Sequence, residues 1–294
     1  MIQTIKIGTR ESQLALIQVE LVVRALKNYF PNLRFEVIPI KTQGDRLLDK
    51  DLKMFGGKGL FLEDIEKNLL SNNIDIAVHS AKDVPFEIPD GLGLIAMLKR
   101  EDTRDVFASS LRIPFFKMRK NARIGTSSLR RSVQLKFIRP ELEVIPLRGN
   151  IPTRIKKIDE LNLDGIVLAA AGLKRLGWEK LITHYFDQNL IVPAIGQGAI
   201  GIESRIDSDL NVLIRRINHD ETELAVKAER SFMKALGGNC HMAIGAYASI
   251  VGKSIHMIGM IESDGKIQKE FIIDKISQSN EIGKRLAQKL GENR

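Results

Sequence analysis

The chain reads Ile74-Asp75-Ile76-Ala77-Val78 and then, without a break, His79-Ser80-Ala81-Lys82-Asp83-Val84-Pro85. The first run is apolar enough for a buried strand, and the second is polar and leads into a turn. Three more segments place hydroxyls or cations after a short apolar run: Gly8 to Ser12, Gly125 to Arg131 and Leu147 to Arg154. Ligands of open α/β sheets bind at the carboxyl ends of strands. The four segments therefore predict a receptor for carboxylates or phosphates.

The elements around these segments alternate between strand and helix over the first two-thirds of the chain. A helix is predicted from the apolar spacing of Leu14, Ile17, Leu21, Ala25 and Tyr29. The pattern is α/β and gives two halves of similar layout, which favours two lobes with a cleft. From Asp220 onward the pattern changes to one long helix, three strand-like runs near 243–250, 255–262 and 267–273, and a final helix, so a smaller α+β module is expected.

The two helix starts leave simpler interpretations open. Ser127 or Ser128 fits a helix N-cap. Arg130 and Arg131 fit a solvated helix face, which is the common position of a pair of like charges.

The polar stretch after Val78 has simpler interpretations too. Lys82 and Asp83 fit a surface ion pair of small energetic value. His79, next to a buried strand, fits a hydrogen-bonded structural histidine. Because four strand ends carry such side chains, solubility alone explains them poorly, and a receptor is favoured.

Composition narrows the class of partner. The 294 residues include 45 Lys and Arg against 36 Asp and Glu, a net charge of +9, which suggests an acidic partner. Only 5% of the residues are aromatic, whereas proteins that bind single-stranded nucleic acid usually need stacking rings among their basic residues. No apolar run is long enough to cross a bilayer, and the first residues resemble a strand rather than a signal peptide.

Cysteine occurs once, at Cys240, in the turn-forming stretch Gly237-Gly238-Asn239-Cys240-His241. A lone thiol closes no intramolecular disulfide, and with the lack of a targeting segment it indicates a reducing cytoplasm. Two interpretations stay open for it: a small buried apolar side chain, or a covalent attachment point displayed on a turn.

The usual cofactor motifs are missing. Gly-Gly-Lys-Gly at 56–59 lacks the spacer and the Lys-Ser/Thr end of a P-loop, and no Gly-x-Gly-x-x-Gly opens a helix. The five His residues are scattered, so no metal site is expected.

With these residues in view, the chain resembles the porphobilinogen deaminase (hydroxymethylbilane synthase) family over nearly its whole length. The matching stretches are Gly56 to Phe61, Asp75 to Ser80, Lys82 to Pro85, Gly125 to Arg131, Leu147 to Asn150, Ala170 to Gly177 and Pro193 to Gly198.

The resemblance implies a fold and a reaction. Members join four porphobilinogen molecules head to tail, release ammonia at each step and form hydroxymethylbilane. The implied architecture is two similar α/β domains of the type II periplasmic-binding-protein kind with a cleft, plus a smaller C-terminal α+β domain. The implied boundaries are 1–98 with 199–217, then 104–192, then 218–294.

The resemblance also implies roles for individual residues. Asp83 would be the catalytic carboxylate, and a dipyrromethane cofactor would be held by a thioether to Cys240. The other cofactor contacts would be Lys82, Asp83, Thr126, Ser127, Ser128, Arg130, Arg131, Arg148 and Gly172. The substrate contacts would be Arg10, Ser12, Lys58, Arg148, Arg154, Arg175 and Gln197, and no metal is implied.

Two other classes of protein stay open at this point. A two-lobed protein that only binds a small carboxylate would need neither Cys240 nor Asp83. A basic nucleic-acid-binding protein would lose affinity steeply with salt. We expect instead a cytoplasmic monomer that acts on porphobilinogen and binds neither nucleic acid nor membranes.

Overall fold

The computed structural model describes residues 4–42, 62–85, 87–238 and 243–291. The chain divides into two compact units, one made of 1–100 with 199–223 and the other of 101–198 with 224–294. The finer boundaries expected from the sequence, 1–98 with 199–217, 104–192 and 218–294, stay a prediction.

The strands, numbered along the chain, are β1 (Thr4–Arg10), β2 (Arg34–Ile40), β3 (Ile76–Ser80), β4 (Leu92–Met97), β5 (Asp105–Ala108), β6 (Arg123–Gly125), β7 (Glu143–Ile145), β8 (Gly165–Ala169), β9 (Ile182–Tyr185), β10 (Ile200–Arg205), β11 (Ile244–Val251), β12 (Ser254–Ser263) and β13 (Lys266–Lys275). The α-helices are α1 (Gln13–Tyr29), α2 (Glu63–Leu70), α3 (Leu129–Ile138), α4 (Ile151–Glu160), α5 (Ala170–Arg175), α6 (Asn211–Ile214), α7 (Asp220–Ala235) and α8 (Ser279–Gly291).

The first unit is built on a five-stranded sheet in the order β2-β1-β3-β10-β4. Strand β1 runs parallel to β2 and β3, whereas β10 runs antiparallel to β3 and β4. Helix α1 covers one face, where Val22 and Leu26 pack with Ile5 and Ile7 of β1. Helix α2 packs on β1, β3, β4 and β10. The central parallel strand β3 is therefore buried on both faces, whereas the edge strand β2 stays partly exposed.

The second unit contains a sheet with the same plan, in the order β7-β6-β8-β5-β9. Strand β6 is parallel to β7 and β8, and β5 is antiparallel to β8 and β9. In each sheet three parallel strands are followed by an antiparallel strand, β10 in the first and β5 in the second. This shared plan confirms the two similar α/β domains expected from the sequence.

The C-terminal module is an antiparallel meander, β11-β12-β13, with its core against α7 and α8. Phe232 of α7 and Leu286 of α8 are both buried in that core. The two helices approach closely at Gly283, where an added Cβ would overlap the Ala228 carbonyl oxygen and the Ser231 hydroxyl. This module confirms the expected smaller α+β domain.

Most of the predicted elements exist, with bounds shifted by one to three residues. Strand β9 was not predicted, because Ile182-Thr183-His184-Tyr185 is short and its two central residues are polar. It pairs with β5 at the edge of the sheet, and a register shift interrupts the pairing. A half-buried edge strand of this length has little apolar signal of its own.

Replacing Gly283 tests the helix contact. We expect Gly283→Ala to lower the free energy of unfolding by a net ~1 kcal/mol, because overpacking typically costs about 1 to 3 kcal/mol. That cost outweighs the roughly 1 kcal/mol that alanine gains inside a helix. Urea unfolding measures it, and Gly291→Ala is the control, because an added Cβ there meets nothing within 4 Å. Equal stability of both variants would contradict the close contact.

Candidate active site

The first unit brings four predicted site residues to one edge of its sheet. Arg10 is the last residue of β1, and Ser12 follows it as the N-cap of α1, its hydroxyl accepting the Ala15 N–H at 3.3 Å. Lys82 and Asp83 lie in a 3₁₀ turn, Ala81–Asp83, directly after β3. Because β1 and β3 are parallel neighbours, both segments leave the sheet at the same edge.

The turn that carries Lys82 and Asp83 is anchored on its inner side. The Ser80 hydroxyl accepts a hydrogen bond from Gln18 Nε2 at 2.8 Å, and the Ala81 N–H donates to the Ala199 carbonyl at 3.0 Å. Ala81 is buried, whereas the side chain of Asp83 is exposed. The fold therefore holds the backbone and presents the carboxylate to solvent.

The second unit places three hydroxyls between β6 and α3. Ser128 is the N-cap of α3 and accepts the Arg131 N–H at 3.4 Å. The Ser127 hydroxyl accepts the Leu147 N–H at 2.8 Å, and the Thr126 hydroxyl accepts the Ser128 N–H at 3.2 Å. Of the two candidate caps, Ser128 is therefore the residue that caps α3. Each hydroxyl acts as an acceptor here and keeps its own hydrogen for donation to a carboxylate.

The next loop, from β7 to α4, carries Arg148. It lies beside the β6 loop because β6 and β7 are parallel neighbours. Gly149 has φ +113°, a backbone angle that suits glycine. Asn150 caps α4 by accepting the Thr153 N–H at 2.9 Å, and Arg154 Nε donates to the Gly149 carbonyl at 2.7 Å. Arg148 and Arg154 are both half-buried at this edge.

Helix α5 follows β8 and contains Gly172, which is buried, and Arg175. Arg175 donates through NH2 to the Gly198 carbonyl at 2.6 Å. Burial lowers the pKa of Arg175 to about 10, opposed in part by the charge of Glu101. Direct contacts of Gly172 and Arg175 with a ligand stay predictions.

Arg130 and Arg131 are not on a solvated helix face, as one interpretation held. Each is 6% exposed. Arg130 NH1 donates to Asp105 Oδ2 and to the Val192 carbonyl, both at 2.6 Å. Arg131 donates through Nε and NH2 to Asp105 Oδ1, at 3.0 and 2.7 Å, and through NH1 to the Val167 carbonyl at 3.0 Å. Both guanidiniums are thus part of a buried ion cluster.

Gln197 belongs to the same cluster. It is fully buried, and its Nε2 donates to the Thr103 carbonyl at 2.8 Å and to Asp105 Oδ1 at 3.0 Å. The substrate contact expected for Gln197 stays a prediction. What the structure shows is an amide that orients the Asp105 carboxylate.

The charges of this cluster do not cancel. Burial alone would raise the pKa of Asp105, but the charges and hydrogen bonds of Arg130 and Arg131 outweigh it and hold that pKa far below its usual range. One carboxylate faces two guanidiniums, so a net positive charge stays under the strand edge that carries Thr126, Ser127 and Ser128. Such a charge attracts anions without requiring an exposed guanidinium.

Sequence reasoning missed Asp105. Its signal was available, because an aspartate begins the apolar run Val106-Phe107-Ala108. A carboxylate at the head of a buried strand needs cationic partners. Nothing in the sequence shows that those partners follow 25 and 26 residues later.

Two predicted site residues, Lys58 and Cys240, lie outside the described residues. The elements that flank 239–242 in sequence, α7 and β11, are described and are held together. The Glu229 carboxylate of α7 accepts the Ala248 N–H of β11 at 2.8 Å and the Gly196 N–H at 2.7 Å. The same glutamate therefore ties both flanks to the loop that contains Gln197.

Within the described part of the chain, no group of three or more His, Cys, Asp or Glu side chains is arranged to hold a metal ion. Among those same residues, no helix has the length and apolar character to span a membrane.

The family "Porphobilinogen deaminase, dipyromethane cofactor binding domain" matches residues 5–212, and "Porphobilinogen deaminase, C-terminal domain" matches residues 223–292. The chain belongs to the porphobilinogen deaminase family. The resemblance found in the sequence is thereby confirmed, and so is the dipyrromethane cofactor class that it implied.

Curated relatives agree over nearly the full length. The chain is 51% identical to the porphobilinogen deaminase of Clostridium botulinum (strain Eklund 17B), covering 97% of this chain and 98% of the relative. It is 49% identical to that of Clostridium perfringens (strain SM101), again covering 97% and 98%.

Solved structures similar in fold include the methionine binding protein MetQ and the Bordetella pertussis BvgS periplasmic VFT2 domain. MetQ is 13% identical at a TM-score of 0.46, covering 80% of this chain and 96% of MetQ. The VFT2 domain is 13% identical at a TM-score of 0.43, covering 78% and 92%.

Removing the charge of Asp105 should destabilise the second unit. Asp105→Asn leaves two buried guanidiniums without their carboxylate, and breaking a buried pair in this way costs roughly 3 to 5 kcal/mol. Because the pKa of Asp105 is depressed in the folded state, its contribution is present at neutral pH and is lost only in strong acid. Urea unfolding near neutral pH should show the loss.

The control is Glu160→Gln, which removes an exposed carboxylate paired with Lys156 in the same unit. Pairs of that kind contribute about 0.5 kcal/mol or less. If Asp105→Asn were no less stable than Glu160→Gln, Asp105 would not hold the arginines.

Proposed function

We propose that this protein carries out the reaction of its family, joining four porphobilinogen molecules head to tail with release of ammonia, with Asp83 as the catalytic carboxylate and Cys240 as the attachment point of the dipyrromethane cofactor. The observation that carries the proposal is the position of Asp83. In a chain of this family, it is an exposed carboxylate on an anchored turn at the carboxyl edge of a parallel sheet, next to Lys82 and beside Arg10 and Ser12.

The described residues fit a ligand rich in carboxylates. Each pyrrole unit brings an acetate and a propionate, so the bound chain gains two negative charges per step. The edge of the second unit offers hydroxyl hydrogens on Thr126, Ser127 and Ser128 and the starts of α3 and α4. Helix starts favour anions. The net positive charge of the Asp105 cluster lies beneath them.

The half-buried arginines add directional hydrogen bonds to the net positive charge of the Asp105 cluster. Arg148 and Arg154 both belong to the loop and helix that follow β7. A guanidinium fork grips a carboxylate with two parallel hydrogen bonds, which a lysine cannot reproduce. We propose Arg10, Arg148, Arg154 and Arg175 as contacts for substrate carboxylates, together with Ser12, Lys58 and Gln197.

Asp83 would act on the charge that develops when ammonia leaves. The aminomethyl carbon of porphobilinogen then becomes cationic, with the charge shared by the pyrrole nitrogen. A carboxylate held in place accepts hydrogen bonds from pyrrole N–H groups and stabilises that cation electrostatically. Because the Ala81 and Ser80 contacts fix the turn, Asp83 needs little reorganisation during the reaction.

When bound, the dipyrromethane supplies the pyrrole carbon to which the first substrate is joined. The residues of this chain then have three tasks: to anchor it through Cys240, to neutralise its carboxylates and to place Asp83 beside the reacting ring. Gly172, Lys82, Arg130 and Arg131 complete the proposed cofactor set, the two arginines acting through their charge, since both are buried.

We also propose that the protein works as a cytoplasmic monomer and binds no nucleic acid. The low aromatic content supports the lack of nucleic-acid binding, and the single cysteine supports a reducing compartment.

Replacing the catalytic carboxylate gives a direct test. Asp83→Asn keeps the size of the side chain and removes its charge. We expect a folded, cofactor-loaded protein with slower turnover, because the activation barrier should rise by roughly 3 kcal/mol. Porphobilinogen consumption measures turnover, and thermal unfolding checks the fold. Asp90→Asn, an exposed aspartate of the same unit, should keep normal turnover. Near-normal turnover of Asp83→Asn would assign the role to another group, whereas a wild type that consumes no porphobilinogen would favour a protein that only binds carboxylates.

Intact-mass measurement tests the attachment. The purified protein should weigh more than its sequence by one dipyrromethane, and Cys240→Ser should lose both that mass and the activity. Peptide mapping should place the added mass on the peptide that contains Cys240. A wild-type protein that is fully active and unmodified would end this part of the proposal.

A further inference from the structure

A second buried group of ionisable side chains lies in the first unit, between helix α2 and the sheet. It consists of Glu66 on α2, His79 on β3 and Glu203 on β10. Their exposed fractions are 7%, 5% and 0%. Three titratable side chains in one buried place are costly unless their charges balance.

The sheet register explains how the group forms. Strand β10 pairs antiparallel with β3, so that Gly201 lies opposite His79 and Glu203 lies opposite Ala77. His79 and Ala77 are two residues apart and share a face of the sheet. Ala77 packs with Ile65 and Leu69 of α2, so this is the face that α2 covers.

One hydrogen bond connects two members of the group. His79 Nε2 lies 3.0 Å from Glu203 Oε2. An ionised carboxylate has no hydrogen to donate, so Nε2–H of the imidazole is the donor toward an ionised Glu203. His79 is therefore the hydrogen-bonded structural histidine that the sequence suggested, and its bond joins β3 to β10.

One oxygen of each carboxylate has no hydrogen-bond partner among the described residues. Glu66 Oε1 and Glu203 Oε1 are both buried and accept no hydrogen bond from that part of the chain. Two carboxylates thus lie in the field of one imidazole, which is hydrogen-bonded to Glu203 alone of the two. If both were ionised, the group would hold a buried negative charge that a single histidine cannot balance.

The charged neighbours do not remove this imbalance. Arg205, two residues after Glu203, donates instead to the Leu69 and Ile74 carbonyls, at 2.6 and 3.1 Å. Lys67 pairs with Glu63 at the helix surface. Among the described residues of α2, of the four strands it packs on and of the adjoining loop, the titratable or charged groups are Lys6, Arg10, Glu63, Asp64, Glu66, Lys67, Asp75, His79, Glu203 and Arg205.

The ionisation of Glu66 agrees with this geometry. Burial, followed by the charge of Glu203 and, more weakly, of Glu63, raises the pKa of Glu66 to about 7, with His79 opposing. Its carboxyl is thus balanced between its protonated and ionised forms near neutral pH.

We propose that Glu66, His79 and Glu203 form one proton-binding unit, in which Glu66 stores a proton and the loss of that proton weakens the attachment of α2 and of the β3 end to the sheet. Once Glu66 is ionised, it competes with Glu203 for the same imidazole. Strand β3 leads within four residues from His79 to Asp83, so any effect on turnover rests on the proposed role of Asp83. The binding of the proton itself does not.

The first test is the pH dependence of stability. A folded-state pKa above the unfolded value gives stability that is full in mild acid and is lost as the pH rises through the folded value. We expect the urea midpoint of the cofactor-loaded wild type to fall between about pH 5 and about pH 7.5 relative to that of Glu66→Gln. Glutamine keeps the shape of the protonated carboxyl and cannot ionise.

The control is Glu63→Gln, which removes an exposed carboxylate from the same helix and should keep most of the wild-type pH dependence. Equal pH dependence in the wild type and in Glu66→Gln would overturn the proposal. So would a loss of the pH dependence in Glu63→Gln comparable to that in Glu66→Gln.

The second test keeps the proposal falsifiable if Glu66→Gln does not fold. In ¹³C-glutamate-labelled wild-type protein, NMR should show one carboxyl that titrates near pH 7. In Glu203→Gln this midpoint should fall, because the charge that raises it is gone. A wild type in which every glutamate titrates in the ordinary acidic range would overturn the proposal.

Hydrogen exchange supplies the local readout. The Ala81 N–H donates to the Ala199 carbonyl directly after β3. Its protection, corrected for the intrinsic pH dependence, should fall between about pH 5 and about pH 7.5 in the wild type and stay constant in Glu66→Gln. Constant protection of this amide in the wild type would show that the ionisation of Glu66 does not affect the end of β3.

Discussion

The buried carboxylate of Asp105 organises the edge of the second unit. It holds Arg130 and Arg131 in the first turn of α3, where a cation alone is unfavourable because the helix start is itself positive. Gln197, 92 residues away in the sequence, donates a further hydrogen bond to the Asp105 carboxylate. Without Asp105, both guanidiniums would be buried without a carboxylate partner, which is unfavourable. The hydroxyls of Thr126 and Ser128 would then lose the net positive charge of the cluster beneath them. The position of α3, the loop at Gln197 and the local electrostatics all depend on this carboxylate.

The same strand plan places an edge of this kind in each unit. Three parallel strands end side by side, and the chain leaves β1, β3, β6 and β7 through turns or helix starts that carry polar groups. Each sheet also contains an antiparallel strand beside its third parallel strand, β10 in the first and β5 in the second. Asp105 begins β5. The strand that completes the second sheet is thus the one that brings in the carboxylate.

How much was predictable from the sequence follows from the range of each interaction. The strands and helices were largely predictable, because strand and helix periods act over a few residues: α1 and β3 with its polar end follow from neighbours along the chain. Lys82 and Asp83 were found for the same reason. Asp105 with Arg130, and His79 with Glu203, are pairs separated by 25 and 124 residues, and only the strand register brings them together. Sequence patterns reveal which side chain needs a partner, but not which residue supplies it.

Buried and half-buried arginines suit different parts of the same task. Arg130 and Arg131 are fixed by Asp105 and by backbone carbonyls, so their charge needs no rearrangement when a ligand arrives. Arg148 and Arg154 lie nearer the surface, where a guanidinium can turn toward a carboxylate whose position changes. A ligand that grows by two carboxylates per step needs both: a constant positive charge under the edge and adjustable groups at its rim. If these arginines hold the ligand as proposed, this division would keep the first pyrrole rings in place while later ones are added.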